Sequence, residues 1–294
     1  MNGILVIEKP AGWTSHDVVN KARRILQENR IGHTGTLDPL ATGVLVLCLG
    51  KATRLVRYLE SDDKAYTAEL KLGITTDTLD SEGKVLAARE YTPPSLERIK
   101  EVLAGFQGAI SQRPPAFSAL KVSGVPSYRL ARQGTPPKHG ERTVTILSID
   151  LLEYRDPLIR FSVQCSKGTY VRTLCADIGE RLGMGAHLTS LIRTRAGQFG
   201  LEQAISLERL AEMAAGGNGA SALIPPDEAL HKLRSVIVDR VAAERIAHGS
   251  SLEIPAGGLP EGGSGPIRIL GHDGQLLAVA RIHDRLLQPE TVLI

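Results

Sequence analysis

The chain has 294 residues, of which 42% are hydrophobic and 23% charged, with a formal net charge of +3. That hydrophobic share is enough for a buried core and excludes a chain disordered throughout, and the length has room for one large domain, or a large one plus a small one. The mildly basic balance permits a nucleic-acid partner without demanding one.

The N-terminus, MNGILVIEKPAGW, lacks a basic segment followed by a long apolar run, so no signal peptide is read there. Gly3 to Glu8 reads as a short buried strand ended by the turn residues Lys9-Pro10-Ala11-Gly12. Thr14 and Asp17 stand at capping-box spacing, and Val18, Val19, Ala22, Ile25 and Leu26 then repeat at helical period. This helix delivers the chain to the loop Gly32-His33-Thr34-Gly35-Thr36-Leu37-Asp38-Pro39-Leu40-Ala41-Thr42-Gly43. The loop runs into Val44 to Leu49, a buried strand by its continuous apolar run. Two readings of Asp38 stand side by side here: a positioned reactive carboxylate, or an acid that caps its own turn.

Lys64 to Leu72 alternates as a strand with Tyr66, Ala68, Leu70 and Leu72 on one face, and residues 77–83 form a polar turn. Ser95 can cap a helix whose face is Leu96, Ile99, Leu103 and Phe106. The segment from Arg113 to Arg142 differs from everything before it. It is rich in proline and glycine and carries Arg113, Lys121, Arg129, Arg132, Lys138 and Arg142 against one acid, Glu141, with Phe117 and Tyr128 interleaved. A long basic insertion of low regularity is more often functional than idle; the alternative is a solvated surface loop.

Thr143 to Tyr154 and Leu158 to Cys165 read as a hairpin, and Leu174, Ile178 and Leu182 as a helix closed by Gly183. Leu188, Leu191 and Ile192 precede a small basic cluster, Arg193 and Arg195, and Leu191 reads as a core leucine on a helical face. A short helix over 206–213 and a glycine-rich boundary follow. The tail adds a strand over 236–238, a helix over 240–247, a flexible glycine loop over 257–266, and strands over 267–270 and 276–282. This is a β-rich module near the lower size limit for a core of its own.

Several chemistries are excluded. Gly50-Lys51 imitates the end of a phosphate loop, but Ala52 stands where a magnesium-holding hydroxyl belongs. No His or Cys spacing fits a metal site, and there is no nucleophile elbow and no dinucleotide fingerprint. The three cysteines, Cys48, Cys165 and Cys175, sit in apolar contexts, as idle thiols in a reducing cytoplasm do. No stretch is long and apolar enough for a membrane span. An enzyme of this sequence is expected to need no cofactor and no metal.

GHTGTLDPLATGVL (32–45) closely resembles the active-site motif of the TruB family of pseudouridine synthases. Four further segments agree in order and spacing: GILVIEKPAGWTSHDVV, KAYTAELKLG, PPAFSALKVSGVPSYRLAR and CSKGTYVRTL. Together they span about the first 200 residues. The resemblance implies an α+β fold, with a central, mainly antiparallel sheet flanked by helices in a catalytic domain over 1–228, followed over 229–294 by a small β-rich PUA-like RNA-binding domain. It implies isomerisation of one T-loop uridine of tRNA, position 55, to pseudouridine without cofactor, with an accompanying role as an RNA folding aid.

By the same resemblance Asp38 is the nucleophile and Arg172 the arginine that pairs with it. Tyr66 stacks on the target uracil, Tyr170 and Leu191 line the pocket, and His33 fills the gap left by the flipped uridine. Lys9 matches a lysine near the site, held as support and counted among candidate RNA contacts. The insertion becomes a flap whose Arg129, Arg132, Lys138 and Arg142 contact the RNA backbone. The partner implied is the T-arm of tRNA, bound by a cytoplasmic monomer with no obligatory protein partner. A guide-RNA pseudouridylation subunit shares these motifs, but such proteins usually carry longer terminal extensions; this chain begins and ends close to its first and last strands, which favours the stand-alone type.

Overall fold

The computed structural model describes residues 1–254, 265–284 and 286–294; most of the expected glycine loop over 257–266 lies outside the described residues. The chain begins with β1 (Gly3–Lys9), and α1 (Ser15–Leu26) starts at Thr14, where the reciprocal capping box with Asp17 forms as its spacing predicts. β2 (Ile31–His33) and β3 (Thr42–Leu49) flank the glycine loop, and β3 is buried along almost its whole length, in keeping with its unbroken apolar run. A 3-10 turn and the short α2 (Val56–Leu59) lead to β4 (Lys64–Leu72), where the alternation seen in sequence becomes alternating burial. β5 (Ile74–Thr76) and β6 (Val85–Ala88) form a side hairpin around the polar turn.

α3 (Leu96–Ala104), capped by Ser95 as expected, buries Ile99, Val102 and Leu103. β7 (Gly108–Gln112) then hands the chain to the insertion. That segment is more regular than its composition foretells: it holds a two-residue hairpin, β8 (Lys121–Val122) and β9 (Val125–Pro126), and the helix α4 (Ser127–Arg132). β10 (Arg142–Arg155) and β11 (Leu158–Cys165) form the predicted hairpin. They are followed by α5 (Val171–Arg181), β12 (Ala186–Ala196), β13 (Phe199–Gly200), α6 (Leu207–Ala215) and α7 (Pro226–Ala229). Leu191 therefore lies on a strand and not on a helical face; the basic residues after it are strand positions that find partners across the sheet.

The main sheet runs β1-β3-β12-β4-β11-β10-β7, with β2 and β13 attached to β3 and β12. Its pairs are antiparallel except β3–β12, which is parallel. One flank of β3 is shared: β2 takes Leu47 to Leu49, while β12 takes Thr42 and Gly43. The loop carrying Asp38 leaves and rejoins the sheet at this split, so the sheet itself fixes both its ends.

The second sheet is built from β14 (Arg234–Ile237), β15 (Leu252–Glu253), β16 (Ile267–Leu270), β17 (Leu276–His283) and β18 (Leu286–Val292), in the order β14-β16-β17-β18-β15, with α8 (Arg240–Ala247) packed beside it. β15 and β18 were not read from the sequence. β18 carries Gln288, Pro289 and Glu290, which obscure its pattern. The two sheets share an apolar cluster in which Val44, Val46, Leu55 and Leu59 meet Leu230, Leu276, Val279 and Leu293. Polar ties cross the same seam, with Arg57 donating to the Thr291 hydroxyl at 2.7 Å. No helix among the described residues is long and apolar enough to cross a membrane.

Candidate active site

Asp38 is flanked in sequence by Leu37 and Ala41, both buried, and these anchor the loop in the main core. The Leu37 N–H donates to the Ser15 hydroxyl oxygen at 2.8 Å, which ties the loop to the first turn of α1. The Pro39 carbonyl accepts from the Gly12 N–H at 2.8 Å and from Lys9 Nζ at 3.2 Å. Arg193 of β12, also buried, donates to the Val44 carbonyl at 2.7 Å and the Gly35 carbonyl at 3.1 Å, bridging the two ends of the loop. Gly43 makes this approach feasible. Its φ is +94°, and a Cβ there would lie 2.3 Å from the Arg193 carbonyl oxygen.

Arg172, in the first turn of α5, meets Asp38 from the other side. Nη2 donates to Oδ1 at 3.2 Å, and Nε lies 2.9 Å from Oδ2 as a charge contact that is not aligned as a hydrogen bond. Arg172 is only 4% exposed, yet it is surrounded by acceptors: the Thr78 carbonyl at 3.1 Å, the Phe117 carbonyl at 2.9 Å and the Asp80 carboxylate at 3.5 Å. Asp80 is held in turn by the Thr78 hydroxyl and the Glu82 N–H. The guanidinium is thus fixed at every edge, and its fork sets the direction of the Asp38 carboxylate.

Asp38 is enclosed by protein on one side while 33% of its side chain remains open. Burial pushes its carboxyl above the ordinary range, with the Asp80 charge adding to that; the Arg172 guanidinium pulls it back down. Without Arg172 nothing of comparable strength would favour the ionised form, since Lys9 contributes less.

The other residues expected at the site fall around this pair. Tyr66 on β4 is half-buried against the main core, and burial pushes its phenol up against the pull of the neighbouring Arg193 charge. Leu191 on β12 sits opposite Ala68 of β4, in the same apolar cluster as Tyr66 and Leu37. Tyr170 immediately precedes α5. His33 ends β2, and its Nδ1 accepts the Gly35 N–H at 3.3 Å; burial pushes this imidazole down, which favours the neutral ring.

One of the RNA-contact candidates is corrected. Lys9 is fully buried, and its ammonium is spent on the carbonyls of Pro10, Trp13 and Pro39 at 2.9, 2.6 and 3.2 Å. Burial pushes it down to about 8. It braces the loop and offers no charge to RNA. Arg142 lies over the Tyr170 ring, 4.8 Å from its centroid, and donates to the Gly168 carbonyl. Arg129, Arg132 and Lys138 are exposed; the first two share α4 with Tyr128, Arg129 donating to its hydroxyl and Arg132 lying near its ring.

Sequence reasoning passed over Asp80 and Arg193. Asp80 reads as one polar residue among several in a turn, and Arg193 as one member of a small basic cluster, because neither signals its distant partner. No group of three or more His, Cys, Asp or Glu side chains placed to hold a metal ion occurs among the described residues.

Comparisons with known proteins match nearly the whole chain. Residues 23–171 match the model of the TruB family pseudouridylate synthase N-terminal domain, and residues 172–238 that of the tRNA pseudouridylate synthase B C-terminal domain. A protein named tRNA pseudouridine synthase B from Geobacter sulfurreducens is 45% identical over 286 residues, covering 95% of this chain and 93% of the relative. One of the same name from Bacillus cereus is 42% identical, covering 100% and 98%. Among solved structures, a Cbf5–Nop10–Gar1 complex matches with a TM-score of 0.78 at 28% identity, over 99% of this chain and 85% of the other. An H/ACA RNP bound to a substrate RNA containing 2′-deoxyuridine matches with a TM-score of 0.77 at 27% identity and the same coverage. The chain belongs to the TruB family of pseudouridylate synthases.

Proposed function

We propose that this chain isomerises a uridine of tRNA to pseudouridine, with Asp38 as the covalent catalyst and Arg172 as the group that orients it. The observation that carries the reading is the two-point contact between a buried Arg172 and Asp38, whose side chain stays one-third open. The curated relatives named tRNA pseudouridine synthase B, matched almost end to end, support tRNA as the substrate.

The chemistry requires no redox partner. The bond from uracil N1 to the ribose breaks, the base turns, and the ribose carbon is joined to uracil C5. C5 gives up its proton and N1 gains one, so atoms and electrons balance within the nucleotide. A carboxylate that bonds transiently to the substrate divides this into easier steps. The target uridine is stacked inside an RNA loop and must be extruded, at a cost of a few kcal/mol. Tyr66 then stacks on the uracil, a contact worth about 1–3 kcal/mol. Tyr170 and Leu191 wall the pocket, and the flat neutral ring of His33 takes the vacated place. We assign the target to the T-loop, position 55, by family likeness.

The exposed Arg129, Arg132 and Lys138 serve the RNA backbone. Residues 1–228 form the catalytic domain and 229–294 a further RNA-binding module, whose shared apolar seam supports a fixed reach along the tRNA. The test is to incubate the purified protein with unmodified tRNA, adding no cofactor, and map the pseudouridines. New pseudouridine confined to the T-loop is expected; no pseudouridine in tRNA would refute the reading.

A further inference from the structure

The insertion leaves the main sheet after Gln112, the last residue of β7, and returns at Arg142, the first of β10; the two are partners in the β7–β10 ladder. Both roots of the insertion grip the same residue, Tyr170. Gln112 is 1% exposed, and its side-chain amide is used at both ends: Oε1 accepts the Tyr170 N–H at 2.7 Å, and Nε2 donates to the Tyr170 carbonyl at 3.0 Å. Arg142 covers the Tyr170 ring at 4.8 Å and donates to the Gly168 carbonyl, while its Nε is buried with no partner. The half-buried guanidinium is thus already engaged with protein at its Nη2 and over its flat face.

The ties continue into the helix that Tyr170 precedes. Thr173 donates its hydroxyl to the Arg113 carbonyl at 3.3 Å, and Arg172 donates to the Phe117 carbonyl at 2.9 Å. Three of the four residues from Tyr170 to Thr173 are therefore bonded to the insertion. No side chain of Tyr170 itself caps α5, so Gln112 supplies the anchorage at that end. A buried amide that loses one such partner leaves a polar group unsatisfied, which makes the position sensitive to small changes.

The geometry points to Gln112 and Arg142 as positioning residues: the two roots of the insertion set the first turn of α5, so that Tyr170 lines the cleft and Arg172 meets Asp38. This rests on the pseudouridine-forming reading of the cleft and deepens it. The insertion grips RNA with its exposed face and aligns the chemical pair with its base, so whatever moves the insertion is felt at Asp38. Arg142 thereby passes from candidate phosphate ligand to internal brace.

The test uses the full chain with Arg142→Lys, Arg142→Met and Gln112→Glu. Lysine keeps the charge but not the planar fork that covers the ring. Glutamate keeps the acceptor for the Tyr170 N–H and turns the donor to its carbonyl into a repelling oxygen. Single-turnover rates at saturating enzyme are expected to fall at least about tenfold in each variant. The Kd for tRNA should stay within about threefold, with an unchanged dependence on salt. Weaker binding by Arg142→Met, with a salt slope lowered by about one and an unchanged saturated rate, would make Arg142 a phosphate ligand and overturn the inference. An unchanged saturated rate in Gln112→Glu would overturn it for Gln112.

A second readout is independent of turnover. The protein holds six tyrosines, and 3-fluorotyrosine labelling followed by fluorine NMR resolves Tyr170 through Tyr170→Phe. Arg142→Lys and Gln112→Glu are expected to shift that resonance, and an unmoved Tyr170 signal in both would overturn the clamp. Should Gln112→Glu fail to fold, Arg142→Lys decides alone. A wild-type protein inactive on tRNA would defeat the proposed function while the fluorine spectra still decided the clamp.

Discussion

Two glycine-bearing segments meet at Arg172 and are built in opposite ways. The loop over 34–41 is braced from several elements: Ser15 and Lys9 on one side, Arg193 on the other, with Leu37 and Ala41 sunk in the core. The insertion over 113–142 is fastened at its base, whereas among the described residues the hydrogen bonds of 118–135 run within the insertion itself. The difference suits the roles proposed for the two segments. A reacting group has to be held in place before substrate arrives, since a misplacement of about 1 Å can cost a hundredfold in rate. A surface that fits a large polyanion gains from being able to adjust.

Substitutions in the braced region should be the most damaging. Arg172→Lys keeps the charge but loses the two-point contact and the bonds to Phe117 and Thr78, and is expected to lower kcat by at least about a hundredfold in a tRNA turnover assay. A rate near wild type would show that the bracing does not matter. Gly43→Ala forces a side chain into a left-handed conformation, which costs about 1–2 kcal/mol. It also sets a Cβ 2.3 Å from the Arg193 carbonyl oxygen, and overpacking of this kind adds about 1–3 kcal/mol. Denaturant unfolding should register a loss of that order, and an unchanged midpoint would mean that the loop accommodates the methyl group.

The pH dependence sharpens the comparison further. The proposed chemistry needs Asp38 ionised, and burial raises its carboxyl above the ordinary 3.8. Activity is therefore present above the raised value and lost as the pH falls through it, so the acid limb of kcat/KM should lie above 3.8. Removing the opposing charge in Arg172→Met should move that limb further up; a shift to lower pH would contradict the assigned balance. The smallest effects belong to the insertion. The pair Arg129→Ala and Arg132→Ala should weaken tRNA binding and lower its salt slope by up to about two, measured by filter binding across a salt series. An unaltered slope would take α4 out of the RNA footprint.

Much of the fold was legible because it is written in local patterns. The alternation of Tyr66, Ala68, Leu70 and Leu72 set the bounds of β4, and Thr14 with Asp17 set the start of α1. β18 was hidden because Gln288, Pro289 and Glu290 break its apolar pattern. At the site, the loop motif marked Asp38, but its pairing with Arg172 joins residues 134 apart in sequence, which no local pattern encodes. The same long range concealed Asp80 and Arg193. Lys9 points in the other direction: a positive charge reads as a surface group until the carbonyls that enclose it are visible.

The most direct test of the central claim separates chemistry from binding at one residue. Asp38→Asn keeps the size of the side chain and removes its charge. Pseudouridine formation in tRNA should become undetectable while the Kd stays within about tenfold of wild type. Retained turnover would show that the carboxylate is not the catalyst, and a collapse of binding with it would show that Asp38 serves the structure instead.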